Sequence, residues 1–407
     1  MWKYKKLSSI DSVQLGHRLR SARKSRGLTQ QDAADHLGVT RTTVTAIEKG
    51  ERRIRGDEIM KLASLYARSV NELVGQRETV EDFPQFRAAA IPGRVEESTI
   101  AAISDEFRRL CEDYLTLESL AGAPMTRSYP GIYSWGKNPK TAAEDIALAE
   151  RKRLGLGDGP LTELWNILEA EVGLRIFSMP IQLSAIAGMF AYHEKAGGCI
   201  LLNRKHPTDR QRWSLAYEYA HFLSDRYKPH IVLLRSYYER KPDVEQFADH
   251  FAMSFLMPTS GLRQKFREIV QSRRDFTPAD LCNLAHLYSV SVEVMCLRLE
   301  GLRLIPSGTW DTLKKQGFKV KRERGSVELY EDRGSVPILP VRYQLLAVQA
   351  FEQKKLTEGQ LARFLRRDRI EARELVMSVF GSREVDEQGQ VSEFVLDASK
   401  SISVVDF

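Results

Sequence analysis

The sequence predicts a mainly α-helical chain with one small β-sheet: an N-terminal five-helix domain, a central α+β domain and a C-terminal accessory helical region. Three observations lead to that expectation. Apolar residues recur at helical spacing through most of the chain. Three short apolar runs bounded by turn residues, Leu174–Ser178, Ala187–Tyr192 and Gly198–Leu202, read as strands. The 407 residues also exceed one compact core, so two or three domains are expected.

Composition narrows the class of molecule. At 43% apolar and 28% charged residues, the chain has the balance of a globular protein. The absence of any run of ~18 apolar residues excludes a membrane span. The basic start Met1–Lys6 leads into no apolar stretch, so no secretory leader is expected and the location is expected to be cytoplasmic. Cys111, Cys199, Cys282 and Cys296 form no C-x-x-C pair and are expected to be reduced thiols. The net charge of +7 is concentrated in residues 1–75, which hold 15 basic and 8 acidic residues, whereas the remainder holds 46 of each. A phosphate-binding face belongs where that excess lies.

In residues 1–75, Leu15, Leu19 and Ala22 give a first helix one buried stripe. Thr29 and Asp32 cap a second helix with Ala33, Ala34 and Leu37 inward, and Gly38 suits the tight turn after it. Thr40 caps a third helix, with Val44 and Ile47 inward and Arg41, Thr42, Thr45 and Lys49 outward. A polar, short-chained, basic face of that kind can enter a major groove. Arg52, Arg53 and Arg55 follow in a loop suited to phosphates, and helices over 56–66 and 71–74 complete the domain. With Leu15-Gly16-x-x-Leu19-Arg20, Gly27-Leu28-Thr29-Gln30, Leu37-Gly38-Val39-Thr40 and Ile47-Glu48-Lys49-Gly50, it resembles the XRE family of phage-repressor-like helix-turn-helix domains. The resemblance implies a double-stranded DNA partner, an operator of two-fold symmetry. It implies that Gln30 touches a phosphate and buttresses the reading helix, and that Arg41, Thr42 and Thr45 face bases.

Residues 76–140 read as a connector. A helix over 96–120 carries the apolar stripe Ile100, Ile103, Phe107, Cys111, Tyr114 and Leu115, a candidate dimer element because regulators of this kind bind two-fold sites as homodimers. A loop rich in Gly, Pro and Ser over 121–140 marks the boundary.

Residues 141–305 form the central domain. Helices over 142–153 and 160–172 precede the strands, and Thr208 and Gln211 open a helix reaching Asp225. Its core face is Trp213, Ala216, Ala220 and Leu223, with Tyr217, Glu218 and His221 on an adjoining face. A helix over 243–255 turns Ala248, Phe251, Ala252 and Phe255 inward and sets Glu245 and Asp249 on its side. From about 140 to 300 this layout resembles the ImmA/IrrE family of zinc metallopeptidases, a zincin-like fold. The match rests on Tyr217-Glu218-Tyr219-Ala220-His221, set against H-E-x-x-H, and on Glu245 through Asp249-His250-Phe251-Ala252 to Leu256-Met257-Pro258. The resemblance implies zinc, with His221 and Glu245 as ligands, Glu218 as general base and Asp249 as a hydrogen-bond partner behind the ligands. It also implies that the Gly198–Leu202 strand borders the cleft, placed to pair with an extended peptide.

One position departs from the family pattern: the first ligand is Tyr217. A catalytic zinc takes three protein ligands and a water, and a phenol ionises only near pH 10. The phenol is expected to fill the metal position or turn toward Asp249 or Glu245, and His193, His206, His230 and His250 lack the spacing to replace the lost ligand. Two readings stand. In one, zinc is weak or absent, the domain is inactive, and it serves sensing or partner binding; residue 217 as His would restore the metal. In the other, the chain is an active zinc-dependent endopeptidase cleaving a protein partner or repressor encoded nearby. The missing ligand favours the first. The joint resemblance implies regulation of a neighbouring operon, at a phage-defence, mobile-element or toxin–antitoxin locus.

A helix pair over 277–287 and 292–304 closes the central domain. In residues 306–407, the alternation over 309–340 suggests a small sheet, helices follow over 341–351, 356–364 and 367–380, and the tail 391–407 alternates like a strand. Leu356-Thr357-Glu358-Gly359-Gln360-Leu361-Ala362 echoes Leu28-Thr29-Gln30, with Arg363, Arg366, Arg367 and Arg369 beside it. A plain accessory helical unit is the expectation here, and a second nucleic-acid contact the alternative.

Overall fold

A computed structural model describes residues 11–66, 68, 70–74, 80, 83–84, 86, 96–136, 138–233, 242–318, 339–385 and 391–395. The chain divides into two compact units, Met1–Thr116 and Leu117–Phe407.

The first unit holds α1 (Ser12–Ser25), α2 (Gln30–Leu37), α3 (Arg41–Glu48), α4 (Gly56–Leu65), α5 (Val70–Val74) and the greater part of α6 (Glu97–Ala121). Leu15, Leu19, Ala33, Ala34, Leu37, Val44, Ile47, Ile59, Leu62 and Leu73 close on one core, so the inward stripes read from the sequence face each other. Thr29 and Asp32 form a reciprocal capping box, Gly38 ends α2 at φ 70°, and the Thr40 side chain accepts from the Thr43 N–H to open α3. α1 crosses the end of α3 at backbone contact: a Cβ on Gly16 would lie 2.6 Å from both Ile47 O and Glu48 O, and one on Gly50 would lie 2.6 Å from Val13 Cα.

The stripe on α6 corrects an expectation. Ile100, Ile103, Phe107, Cys111 and Tyr114 are buried, and the Phe107 ring meets Phe83 and Phe86 at 5.4 and 6.5 Å. These five residues of the stripe are therefore core and not a free face, while Leu115 is half-buried.

The second unit begins with α7 (Pro139–Arg153), capped by Asn138. α8 (Leu164–Ile167) widens into a π turn over Leu168–Val172 and stops at Gly173, φ 86°, so the helix expected from Pro160 starts four residues later. Next come β1 (Arg175–Met179), β2 (Ile186–His193), β3 (Gly197–Asn203), α9 (Thr208–Asp225) and β4 (His230–Leu233), in sheet order β1-β3-β2-β4. β1 runs parallel to β3, and β2 antiparallel to β3 and β4. The three expected strands are present; β4 was not anticipated. β3 is an inner strand, contrary to the expectation of an edge ready for a peptide. β1 and β2 already take its backbone donors and acceptors, and the edges are β1 and β4.

Beyond the sheet lie α10 (Asp243–Leu256), α11 (Thr259–Arg273), α12 (Pro278–Leu287), α13 (Val292–Gly301) and α14 (Thr309–Lys315). α11 escaped the sequence reading, although Leu262, Phe266 and Ile269 stand at i, i+4 and i+7. The expected sheet at 309–340 begins instead as α14, whose Trp310 donates its indole N–H to Glu293 at 3.0 Å; residues 319–338 lie outside the described residues. The unit ends with α15 (Val341–Glu352), α16 (Glu358–Leu365), α17 (Arg369–Phe380) and a hairpin of β5 (Gly381–Val385) with β6 (Val391–Val395). β6 takes the first residues of the tail, and the alternation expected toward its end, residues 396–407, lies outside the described residues.

α9 packs on β2 and β3 on one side and on α10 on the other, while α7 lies along α10. Burial on α9 is therefore nearly complete, covering Gln211, Arg212 and every residue from Ser214 to Leu223. Among the described residues the four cysteines are free thiols, and no helix is long and apolar enough to cross a membrane.

Two glycines of the first unit separate strain from collision. Nothing lies within 4 Å of a Cβ built on Gly38, so Gly38→Ala is expected to cost only the left-handed penalty, ~1 kcal/mol. Gly50→Ala adds a backbone clash to the same penalty and is expected to cost ~3 kcal/mol or more. Thermal unfolding of the two variants should show that order.

Candidate functional site

Two clusters of side chains, one in each unit, carry the chemistry. In the first unit the outward face of α3 hangs on a buried carboxylate. Glu48, the last residue of α3, accepts from Arg23 Nε at 2.6 Å and Nη2 at 2.9 Å, and from Gln30 Nε2 at 2.9 Å. Gln30 Oε1 in turn lies 3.2 Å from Thr45 Oγ1, which stands 3.0 Å from Arg41 O. Gln30 thus acts as a strut that fixes α3 against α2. Arg41, Thr42, Lys49 and Arg53 are exposed and Thr45 is half-buried. Arg52 points elsewhere: its guanidinium donates to the buried Glu58 at 2.9 and 3.1 Å, which occupies much of its donor capacity. Arg23 was not singled out from the sequence, and Glu48 entered only as part of the Ile47-Glu48-Lys49-Gly50 match, with no role assigned. The signal was an acidic residue on an inward stripe, Val44, Ile47 and Glu48 at i, i+3 and i+4.

In the second unit α9 and α10 bring Tyr217, Glu218, His221 and Glu245 together. The Tyr217 hydroxyl donates to Glu245 Oε2, and its ring meets that of His221 at 5.1 Å and 60°. Glu218 is fully buried, and its Oε1 lies 3.3 Å from where a Cβ on Gly188 of β2 would sit. Gly188 is therefore a residue of the site that sequence reasoning missed; a lone glycine inside an apolar strand run was the available signal. Asp249, one turn beyond Glu245, is half-buried. Burial first, then the charge of Glu245 and the hydrogen bond to it, then Asp249 and Glu218, push the Tyr217 phenol far above a tyrosine's ordinary value.

That donor set does not fit a catalytic zinc. Three protein ligands are needed, and among the described residues no three His, Cys, Asp or Glu side chains are grouped to hold a metal ion. Tyr217 offers a neutral phenol, and its proton is committed to Glu245, the residue that would be the next ligand. His206 is buried and within 3.0 Å of Ser184 O, and His193 Nδ1 accepts from the Lys195 N–H, so both rings have other work.

Residues 19–73 match the helix-turn-helix family and residues 169–300 match the IrrE N-terminal-like domain of the M78 peptidases. The chain joins a helix-turn-helix domain to an IrrE N-terminal-like domain. A curated relative, the HTH-type transcriptional regulator ImmR of Bacillus subtilis (strain 168), is 35% identical over 66 residues, 16% of this chain. The chain spans about half the length of that relative, 52%. Among solved structures, ComR from Streptococcus suis aligns over 91% of this chain and 88% of its own at 13% identity, with a TM-score of 0.16.

The IrrE-like domain secures α9 from behind with a second buried carboxylate. Glu150 of α7, fully buried, accepts from the hydroxyls of Tyr133 and Tyr219 and from the Arg153 guanidinium, at 2.9 Å from Tyr133 and 2.8 Å from Arg153 Nη2. Tyr219 stands between Glu218 and Ala220 on α9, so this network sets the rotation of the helix that carries the site. Arg151, one residue on, donates to Phe255 O at 2.5 Å and ties α7 to the end of α10.

In the helix-turn-helix domain, Glu48→Ala leaves Arg23 buried with its guanidinium uncompensated. Such a loss is expected to cost ~3–5 kcal/mol and to lower the unfolding temperature of this domain, measured by calorimetry. A fall no larger than that of a surface substitution, within ~0.5 kcal/mol, would show that water reaches the pair.

Proposed function

We propose that the chain is a DNA-binding transcriptional regulator whose peptidase-like domain keeps its fold without hydrolysis and serves to sense a signal or dock a protein partner. The observation that supports the second half is the hydrogen bond from Tyr217 to Glu245, which commits to each other two groups that a zinc ion would need as separate ligands. The charge excess in residues 1–75 and the exposed Arg41, Thr42 and Lys49, with Thr45 beside them, support the first half. So does the relative's description as a transcriptional regulator. Assembly as a homodimer on a two-fold operator, and a partner encoded nearby, belong to the same proposal.

For DNA, Arg41→Ala is expected to cost ~1–3 kcal/mol on the specific site and little on random duplex, measured by fluorescence anisotropy. Equal losses on both would make Arg41 a phosphate contact and not a base reader.

For the peptidase-like domain, the test is Tyr217→His. The protein as it stands is expected to bind little zinc by elemental analysis, and Tyr217→His to gain about one ion per chain, because His221 and Glu245 are already on adjacent helices. Near-stoichiometric zinc in the Tyr217 protein, with partner cleavage lost on chelation, would make it an active endopeptidase. DNA affinity is expected to be the same in both proteins.

A further inference from the structure

From the cap of α2 to the first turn of α3, the C-terminal helices repeat the geometry of the first domain. Shifted by a constant 328 positions, the capping box Thr29/Asp32 of α2 becomes Thr357/Gln360 of α16. The inward residues Ala33, Ala34 and Leu37 become Leu361, Ala362 and Leu365, all buried. Gly38 at φ 70° becomes Arg366 at φ 53°, and the bond from Val39 N to Ala34 O becomes that from Arg367 N to Ala362 O, each 3.0 Å. The Thr40 cap becomes Asp368, whose Oδ1 accepts from the N–H groups of Ile370 and Glu371 at 2.8 and 2.9 Å. Even the strut recurs: where Gln30 reaches Thr45, Glu358 reaches Arg373 at 2.7 Å. α15 packs against both α16 and α17, and the β5–β6 hairpin trails the last helix. Two helices joined at this spacing, with a third packed on them and a β-ribbon behind, are the parts of a DNA reader.

Charge and exposure fit that use. Residues 353–373 hold seven basic and three acidic residues. All three acids are engaged locally: Glu358 holds Arg373, Asp368 caps α17, and Glu371 accepts from the Asp368 N–H. Arg366, Arg367 and Arg369 are exposed around the turn, and Arg369 takes the place that Arg41 holds in the first domain. Ile370, in the place of Thr42, is 69% exposed, an apolar side chain of the kind that meets a thymine methyl. We infer that residues 340–395 are a second helix-turn-helix module that binds double-stranded DNA, with Arg367 and Arg369 on phosphates or base edges and Ile370 toward the groove floor.

The test uses the full chain and a fluorescein-labelled random-sequence duplex of about 40 base pairs, roughly four helical turns. Affinity is measured over a salt series from about 50 to 200 mM. Arg367→Ala with Arg369→Ala is expected to weaken binding at least about five-fold at the lower salt and to reduce the log–log salt slope by about 2, as two lost cation contacts require. The paired lysine substitutions are expected to restore most of that slope. Because both arginines are exposed, the unfolding temperature should hold, which separates lost contacts from lost fold. Arg41→Ala in the first domain serves as the control: on this random-sequence duplex it is expected to change binding little, alone or combined with the C-terminal substitutions. A benzophenone side chain placed at 370 is expected to crosslink the duplex under ultraviolet light. A slope and affinity equal to the parent's, with no crosslink to DNA, would overturn the proposal. Crosslinking from 370 to a second copy of the chain, with the slope unmoved, would reassign the face to protein docking.

Discussion

Carboxylates taken out of water organise this chain, because each must be met by donors brought from elsewhere in the sequence. Glu48 draws in Arg23 and Gln30 and so fixes α3 against α1 and α2. Glu150 draws in Tyr133, Arg153 and Tyr219 and so fixes α9 against α7. Glu118, at the end of α6, accepts from Arg175 of β1 and Arg342 of α15, tying the sheet to the C-terminal helices within the second unit. Replacing such groups with apolar ones can leave stability unchanged, so their weight lies in orientation: a hydrogen-bonded carboxylate tolerates one geometry where a methyl group tolerates several.

Tyr217 and Glu245 follow the same rule with a different outcome. Glu245, half-buried on the side of α10, can be met by a metal ion or by a hydroxyl. Here the hydroxyl meets it. The same carboxylate is thus held by a side chain of α9, beside a residue set that does not fit zinc. Glu218, fully buried against the glycine of β2, keeps a position that only the absence of a Cβ at 188 makes roomy.

What was legible in the sequence was whatever local chemistry decides. The five N-terminal helices could be read because threonine caps, a glycine in the left-handed region and inward stripes at i, i+3 and i+4 all act within one turn. The three strands could be read because apolar runs between turn residues leave few alternatives. Tyr217, Glu218, His221 and Glu245 were named from the resemblance to the metallopeptidase motifs, and the structure brings them together. What escaped depended on contacts distant in sequence. β4 is short and gains its meaning only by pairing with β2, and α11 lay in a strongly charged stretch that obscured its stripe. The apolar stripe on α6 looked unpartnered because Phe83 and Phe86 sit in a segment without periodicity. β3 read as a cleft border, but sequence does not say whether a strand is inner or outer.

The strut between Gln30 and Thr45 limits which positions of α3 can change freely. A substitution at Thr45 removes the oxygen facing Gln30, and Gln30 also holds Glu48, so the change would shift the helix as well as alter its surface. Arg41 and Thr42 stand outside that chain of bonds to Glu48, and their side chains are exposed. Substitution on α3 is thus cheap in its first turn and costly in its middle. Related regulators would then be expected to diverge at the first positions while keeping a matched pair at the places of Gln30 and Thr45.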